Sequence, residues 1–392
     1  MTVHQAQGND VQSSCRHMMR MPSPAVQRLK FRLLAEGMTV DPEARRVLSG
    51  QAGDWPLTLA DYASTSGVAL ELAEHTWVNV PIPDHNAELA ARSSLCLRWQ
   101  TGGFFISDAK QEHSVFPRLP PSYHDQVNSL GVRYTDYAIT HTDRVRISPI
   151  QGCSYTCQFC DLPYKRRYQL MDSEGCIDAI RLALKDKILP ARHVLISGGV
   201  PKPEDWARQH RLYEEVVQAF PNIQVDVMMV ASPNHWDLHR MKQAGVHAVS
   251  INLELFNFEG GRRLMPRKTD LARTDWLRFI EQAVGLFGPG RVRSLLMVGL
   301  ESAEMTLQGV WELAMRGCDP VLSPFRPDPA TPLAHHPAPS SEIMTRIYHE
   351  AYEITEQLGV KLGPRCVPCM HNTLTFPDGS GAYYHSTAPE AI

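Results

Sequence analysis

The chain has 392 residues, 43% of them apolar, and a formal net charge of −3. It is long enough to bury a large core without disulfide staples, and so even a charge balance offers no basic field to nucleic acid or an anionic membrane. Small molecules are therefore the expected substrates. Nine cysteines, with five in two tight clusters, argue against a disulfide framework and for a reducing cytosol. No apolar run has the length of a signal peptide or a membrane span, so the sequence reads as cytoplasmic.

Residues 1–25 are polar and read as a disordered N-terminus in which His4 and Cys15 are incidental. Residues 26–140 read as an accessory region: a helix within Ala25–Leu48, a pair of short helices in Leu57–Glu74, and a hairpin over Leu95–Ser107 turning at Gly102-Gly103. The hairpin makes Cys96 a core residue. From there the chain alternates strand and helix. Strands are expected at Val145–Ile150, His193–Ser197, Gln224–Val230, Ala248–Leu255, Ser294–Val298 and Pro320–Phe325, with a weaker seventh at Val360–Leu362. Helices are expected at Cys176–Leu184, Glu204–Ala219, His235–Gln243, Asp275–Leu286, Met305–Met315 and Ser341–Leu358. Strand–helix–strand at this spacing means parallel pairing and right-handed crossovers. Residues 141–365 thus predict an α/β fold, a full or partial (β/α) TIM-like barrel whose chemistry sits at the C-terminal strand ends. A tail, 366–392, follows.

The first barrel strand runs into Gly152-Cys153-Ser-Tyr-Thr-Cys157-Gln-Phe159-Cys160. Three thiolates on one loop ask for a metal, and a [4Fe-4S] cube held by three cysteines keeps one iron open to another ligand. This C-x3-C-x2-C pattern, with an aromatic before the last cysteine, resembles the signature of the radical S-adenosylmethionine (SAM) superfamily. The resemblance spans residues 145–365 and is nearest the biotin synthase, thiamine tyrosine lyase and hydrogenase maturase subgroup. It implies a [4Fe-4S] cluster on Cys153, Cys157 and Cys160, SAM chelated at the open iron, and reductive cleavage to a 5′-deoxyadenosyl radical that takes hydrogen from a small molecule. The substrate class would be an amino acid, cofactor precursor or natural-product intermediate, and a flavodoxin- or ferredoxin-type protein would donate electrons. Cleavage to an aminocarboxypropyl radical is the alternative chemistry, and a zinc-binding non-enzymatic scaffold the alternative class.

The same resemblance implies SAM contacts from Phe159; from Ser197, Gly198 and Gly199, where Val200 replaces the acid of the family's Gly-Gly-Glu element; from Asn252 and Glu254 to ribose; from Arg267 to the carboxylate; and from Val298 and Gly299 to adenine. Alternation puts Ser250, Asn252 and Glu254 on one strand face. Ser323 and Arg326 are candidates to face substrate. Tyr155, Tyr164, Cys366 and Cys369 are candidate hydrogen donors, and Lys165-Arg166-Arg167 could attract a donor protein. The pair Cys366/Cys369, with His371 two residues on, could bind an auxiliary metal or second cluster, with Cys318 as the distant candidate partner, or could contact substrate. No catalytic acid, base or nucleophile stands out, as expected where a carbon radical does the chemistry.

Overall fold

The computed structural model describes residues 21–50, 58–62, 67–91, 93–108 and 110–377. The readings of His4, Cys15 and most of the N-terminal and C-terminal stretches lie outside them. The frame is a seven-stranded sheet: β1 (Ala138–His141), β2 (Arg144–Ile147), β3 (His193–Ile196), β4 (Val225–Met229), β5 (Ala248–Ile251), β6 (Val292–Val298) and β7 (Asp319–Pro324), lying side by side in chain order. Strands β2 to β7 pair in parallel, and β1 runs antiparallel to β2. Helices Ser173–Lys185, Trp206–Ala219, Leu238–Ala244, Arg273–Phe287 and Ala303–Ala314 make the crossovers, and Ser341–Gln357 follows β7. Strands that neighbour one another in chain order require every crossover to wind the same way, which curls the sheet into a partial, TIM-like (β/α) barrel.

The helices start where the sequence caps them. Asp172, Asp237, Ser302 and Ser340 accept the N–H groups of Gly175, Arg240, Met305 and Ile343, which satisfies donors left over by the first turn. Strand register then sorts the side chains into two faces. Val145 pairs with Val194, Val194 with Val225, Val227 with Val249 and Val249 with Val292, and this β-branched face is buried. The other face carries Arg144, Arg146, His193, Asp226, Ser250, Arg293 and Asp319 and lines the barrel interior. A polar interior is costly unless partnered, and partners are built in: Asp226 receives Arg293 at 2.9 Å and contacts His247 at 3.1 Å.

The first six predicted barrel strands and all six predicted helices appear, with ends shifted by a few residues. The seventh strand at Val360–Leu362 does not form; Gly363 makes one bridge to Val321 and donates to the Pro320 carbonyl at 2.8 Å. The barrel sheet also takes in Ala138–His141, ahead of the expected start at 141. The accessory region differs more. The single helix in Ala25–Leu48 is two, Pro24–Glu36 and Pro42–Ser49, split at Gly37, where φ is +67° and a Cβ would lie 2.6 Å from the Pro81 carbonyl. The helices expected in Leu57–Glu74 are, among the described residues, a short 3-10 turn at Leu59–Tyr62 and a strand at Val68–Glu71. That strand pairs with Trp77–Val80 and Glu112–Pro117 in a six-stranded sheet, so tertiary pairing overrides local helix propensity. The hairpin forms, turning on Thr101-Gly102, both at positive φ. No helix among the described residues is long and apolar enough to cross a membrane.

Candidate active site

The cysteine loop is closed at its base by a two-stranded clasp, Ile150-Gln151 paired antiparallel with Gln169-Leu170. Gly152 turns the chain into the loop at φ +67°, where a Cβ would lie 2.7 Å from the Arg166 carbonyl. The next strand end presses on it backbone to backbone: a Cβ on Gly199 would sit 1.9 Å from the Gly152 carbonyl oxygen and 2.8 Å from Cys153 Cα. This approach aims donors at sulfur. Cys153 Sγ accepts the N–H groups of Val200 at 3.2 Å and Tyr155 at 3.3 Å, and Ser154 N donates to the Val200 carbonyl at 3.0 Å. Val200, where an acid was expected, therefore serves through its backbone.

Cys157 lies buried with Leu255 and Met265, shielded by Tyr155, Phe159 and Leu264. Burial pushes its thiol up to about 11 and that of Cys160 up to about 12, because a lone thiolate is poorly solvated there. Such thiols ionise readily only against a cation. Cys153, Cys157 and Cys160 line one cavity together with Phe159, Ser197, Gly198, Gly199, Asn252 and Glu254, so most residues singled out in the sequence converge. A metal cluster fits this loop: three sulfurs on one wall, one already holding two N–H donors, and a glycine cradle behind.

Opposite the cysteines, Glu254 sits at φ +68°, an uncommon conformation for a residue with a Cβ. It is held by Glu254 N donating to Leu295 O at 2.8 Å and by Met297 N donating to Glu254 O at 2.7 Å. Its carboxylate meets Lys268 Nζ at 2.8 Å, and Lys268 also reaches the Asn252 carbonyl at 3.4 Å. Burial works against the Lys268 ammonium, yet Glu254 and Cys157 outweigh it and raise its pKa. Asn252 Oδ1 accepts from Ser250 Oγ at 2.8 Å and Leu295 N at 3.3 Å, which fixes the amide plane. Lys268 was missed in the sequence; the expected Arg267 is exposed, paired with Asp270 at 3.7 Å, and points away. Adjacent residues on a short helical turn face different ways: Arg267 is exposed, whereas Lys268 turns inward with Met265.

Val298 and Gly299 do not reach the cavity. Val298 is core, and Gly299 packs on Pro339. Glu301 instead accepts the N–H groups of Phe256 and Asn257 at 2.9–3.1 Å, bracing the loop after β5. The rest of the cavity wall includes Trp206, Tyr213, Met228, Met229 and Trp236, where Trp206 and Trp236 meet edge to face at 5.1 Å. The helix after β3 gave no sign of this beyond its aromatic content. In the interior below the loop, Arg146 is forced down by burial and by Arg144, and its Nε has no partner among the described residues. In the basic run, Lys165 binds Asp328 at 2.6 Å and Arg166 binds Asp136 at 3.2 Å, so two of its three charges are already paired. Ser323 donates to the Asn372 carbonyl at 3.2 Å, and Arg326 donates to Asn79 Oδ1 at 3.0 Å.

Cys366 and Cys369 lie at the other end of the barrel, beside His193 at the start of β3. Four residues of strand at ~3.3 Å each separate that level from the cysteine loop. Cys318 is fully buried and not among their neighbours. Burial works against a Cys369 thiolate, but a hydrogen bond from Cys366 and the charge of Arg144 bring it down to about 5.

A parallel barrel with a three-cysteine loop at the C-terminal end of its first parallel strand defines a class, the barrels that hold a cluster with one open iron. Residues 147–307 match the model of the Radical SAM superfamily, and that stretch of the chain is a radical SAM domain. It is 26% identical over 183 residues to the bacteriochlorophyllide c C-7(1)-hydroxylase of Chlorobaculum limnaeum, an alignment that covers 44% of each chain; the chain thus spans less than half the length of that relative. Among solved structures it is similar to a radical SAM methyltransferase from Sphaerobacter thermophilus, with 16% identity, 70% of this chain and 79% of that one covered, and a TM-score of 0.43. It is also similar to the FeFe-hydrogenase maturase HydG from Carboxydothermus hydrogenoformans, with 14% identity, 55% and 52% covered, and a TM-score of 0.43.

Proposed function

We propose that this protein cleaves SAM reductively and abstracts hydrogen from a small-molecule substrate. The observation that carries the reading is the convergence of three thiols, the Gly198-Gly199 backbone and the Asn252–Glu254–Lys268 group on one cavity. Cys153, Cys157 and Cys160 would hold a [4Fe-4S] cluster, which supplies the electron that breaks SAM's carbon–sulfur bond and frees a 5′-deoxyadenosyl radical. Glu254, oriented by Lys268, and Asn252 would accept and donate to the ribose hydroxyls. Ser197 and the backbone of Gly198 and Gly199 offer polar groups beside the cysteines, and the Lys268 ammonium supplies the cation for SAM's carboxylate. The apolar wall of Tyr213, Met228 and Trp236 suits a flat group and excludes water from a reactive carbon. Phe159 shields the cluster edge.

A flavodoxin- or ferredoxin-type donor is proposed as the partner and the cytoplasm as the compartment. The likeness to a bacteriochlorophyllide c C-7(1)-hydroxylase fits a reaction that begins by breaking a C–H bond. Anaerobic reconstitution followed by dithionite and SAM tests the proposal. The expected result is a brown, iron-loaded protein that releases 5′-deoxyadenosine, with both properties lost in Cys157→Ala. Methylthioadenosine in its place would support the aminocarboxypropyl route, and a colourless protein that leaves SAM intact would refute the proposal.

A further inference from the structure

At the base of the barrel, away from the cysteine loop, four side chains from three distant stretches of chain converge. Asp143 comes from the β1–β2 hairpin, His193 from the first residue of β3, and Cys366 and Cys369 from the tail. One ligand atom from each lies within 4.8 Å of all the others. His193, Cys366 and Cys369 are buried and Asp143 is nearly so. We propose that these four residues form a mononuclear zinc site that fastens the C-terminal tail to the barrel.

The edges of the group test the idea. Tetrahedral zinc with bonds of about 2.3 Å to sulfur, about 2.05 Å to nitrogen and about 2.0 Å to oxygen spaces its ligands at about 3.5 Å for S–N and S–O pairs and about 3.3 Å for N–O. Cys366 Sγ and Cys369 Sγ each lie 3.5 Å from His193 Nε2. Cys366 Sγ is 3.4 Å from Asp143 Oδ1, Cys369 Sγ is 3.8 Å from the same oxygen, and His193 Nε2 is 3.4 Å from it. Five of the six edges therefore agree with one tetrahedral ion to within about 0.3 Å. Donors this close enclose a single ion. A four-iron cube would need its thiolates spread around a body several ångströms across, and Cys318 is not there to contribute. Two thiolates, an imidazole and a carboxylate are a zinc donor set.

The surroundings hold the donors in place. Thr142 adopts φ +57°, a costly conformation for a β-branched residue; its hydroxyl donates to the His141 carbonyl at 2.6 Å, and the bend presents Asp143. Arg365, directly before Cys366, clamps Asp319 through two hydrogen bonds of 2.6 and 3.1 Å. Arg144, also at this end, offsets the net negative charge of two thiolates and a carboxylate around a divalent ion. Without an ion, the same atoms would have to serve as a network of thiol, carboxylate and imidazole hydrogen bonds. That is the competing reading.

The test is metal analysis of the full chain, purified without oxygen or chelator and then reconstituted with iron and sulfide. The site predicts about one zinc per chain in addition to the iron. Zinc should fall to background in Cys366→Ser/Cys369→Ser with iron kept, whereas Cys157→Ala should lose iron and keep zinc. This crossed pattern separates the present inference from the radical SAM reading, since either can fail alone. Should the double variant not fold, X-ray absorption at the zinc edge of the wild type decides, with two sulfurs at about 2.3 Å and two lighter donors at about 2.0–2.1 Å expected. Asp143→Asn and His193→Asn should each lower zinc retention under a chelator. Wild-type protein that takes up no zinc when offered it, zinc unmoved by the double variant, or a second iron–sulfur chromophore that persists in Cys157→Ala would each overturn the proposal.

Discussion

Removing Lys268 alone should cost more than removing both members of its ion pair. In Lys268→Met, the Glu254 carboxylate, held in place by backbone bonds on both sides and by its φ of +68°, loses the cation at 2.8 Å and cannot swing to water. Stranding one partner of a buried pair costs about 3–5 kcal/mol. At about 2–4 °C of melting temperature per kcal/mol for a domain near this size, the fall is roughly 6–20 °C. Glu254→Gln/Lys268→Met, which leaves no buried charge, should recover most of that loss, since a buried pair replaced as a unit is often nearly neutral. SAM affinity should not recover. On the proposed role of Glu254, losing its charged hydrogen bonds to ribose, about 1.5–3 kcal/mol, should weaken binding by roughly 10- to 150-fold. Thermal melts and SAM titration of the four proteins in the cycle provide the check. Melting points that simply add, or a double variant that binds SAM like the wild type, would refute the assignment.

Other substitutions probe neighbouring parts. Gly199→Ala puts a methyl group 1.9 Å from the Gly152 carbonyl, so the cysteine loop must shift; a loss of about 1–3 kcal/mol is expected, with reduced iron content by metal assay. Arg267→Gln should leave SAM affinity unchanged in the same titration, because the side chain is solvent-exposed. Cys318→Ala, in the core, should lower the melting temperature and alter neither iron nor zinc content. Lys30 is buried, with its Nζ donating to the carbonyls of Met370 at 2.9 Å and Thr375 at 2.6 Å, and burial holds its pKa well below the usual lysine range. The unfolded chain therefore binds the extra proton between that lowered value and about 10.4, so stability rises with pH across this window. Lys30→Met should flatten that rise in melts compared from pH 8 to 10.

The barrel was legible because each strand and helix declares itself by period and cap, and parallel order follows from alternation alone. The cysteine loop was legible as a motif, and strand alternation put Asn252 and Glu254 on one face, the face that lines the cavity. Lys268 was not, because a 3-10 turn at 268–270 has no period long enough to tell which of two adjacent cations turns inward. Val298 and Gly299 were expected to meet the cofactor, yet they lie outside the cavity, and Glu301 beside them binds two N–H groups on the neighbouring loop. Asp143 and His193 were beyond reach for another reason. Each is unremarkable in its own stretch, and 223 residues separate Asp143 from Cys366, so only the closed fold brings them together.

A partial barrel has a cost that a full one avoids: β1 and β7 do not meet, and the interior charges near the gap need cover. The accessory sheet and the 366–377 segment cover them. Trp77 of the accessory sheet packs on Val367 and Met370 of the tail, Leu374 N donates to the β7 carbonyl of Leu322 at 2.9 Å, and Arg326 spans from Asn79 to Asn372 Oδ1 at 3.3 Å. The tail is thus layered between barrel and accessory sheet, with Cys366 and Cys369 buried within it. On the proposed function, a radical generated at the cysteine loop would have to be kept from solvent, and a fastened tail would then add containment to stability. On this argument, loss of the lower metal should leave the cluster's iron intact but raise the fraction of SAM cleaved without substrate turnover. Protease sensitivity of the 363–377 segment should rise in parallel with that uncoupling, and an increase in either without the other would separate the two roles.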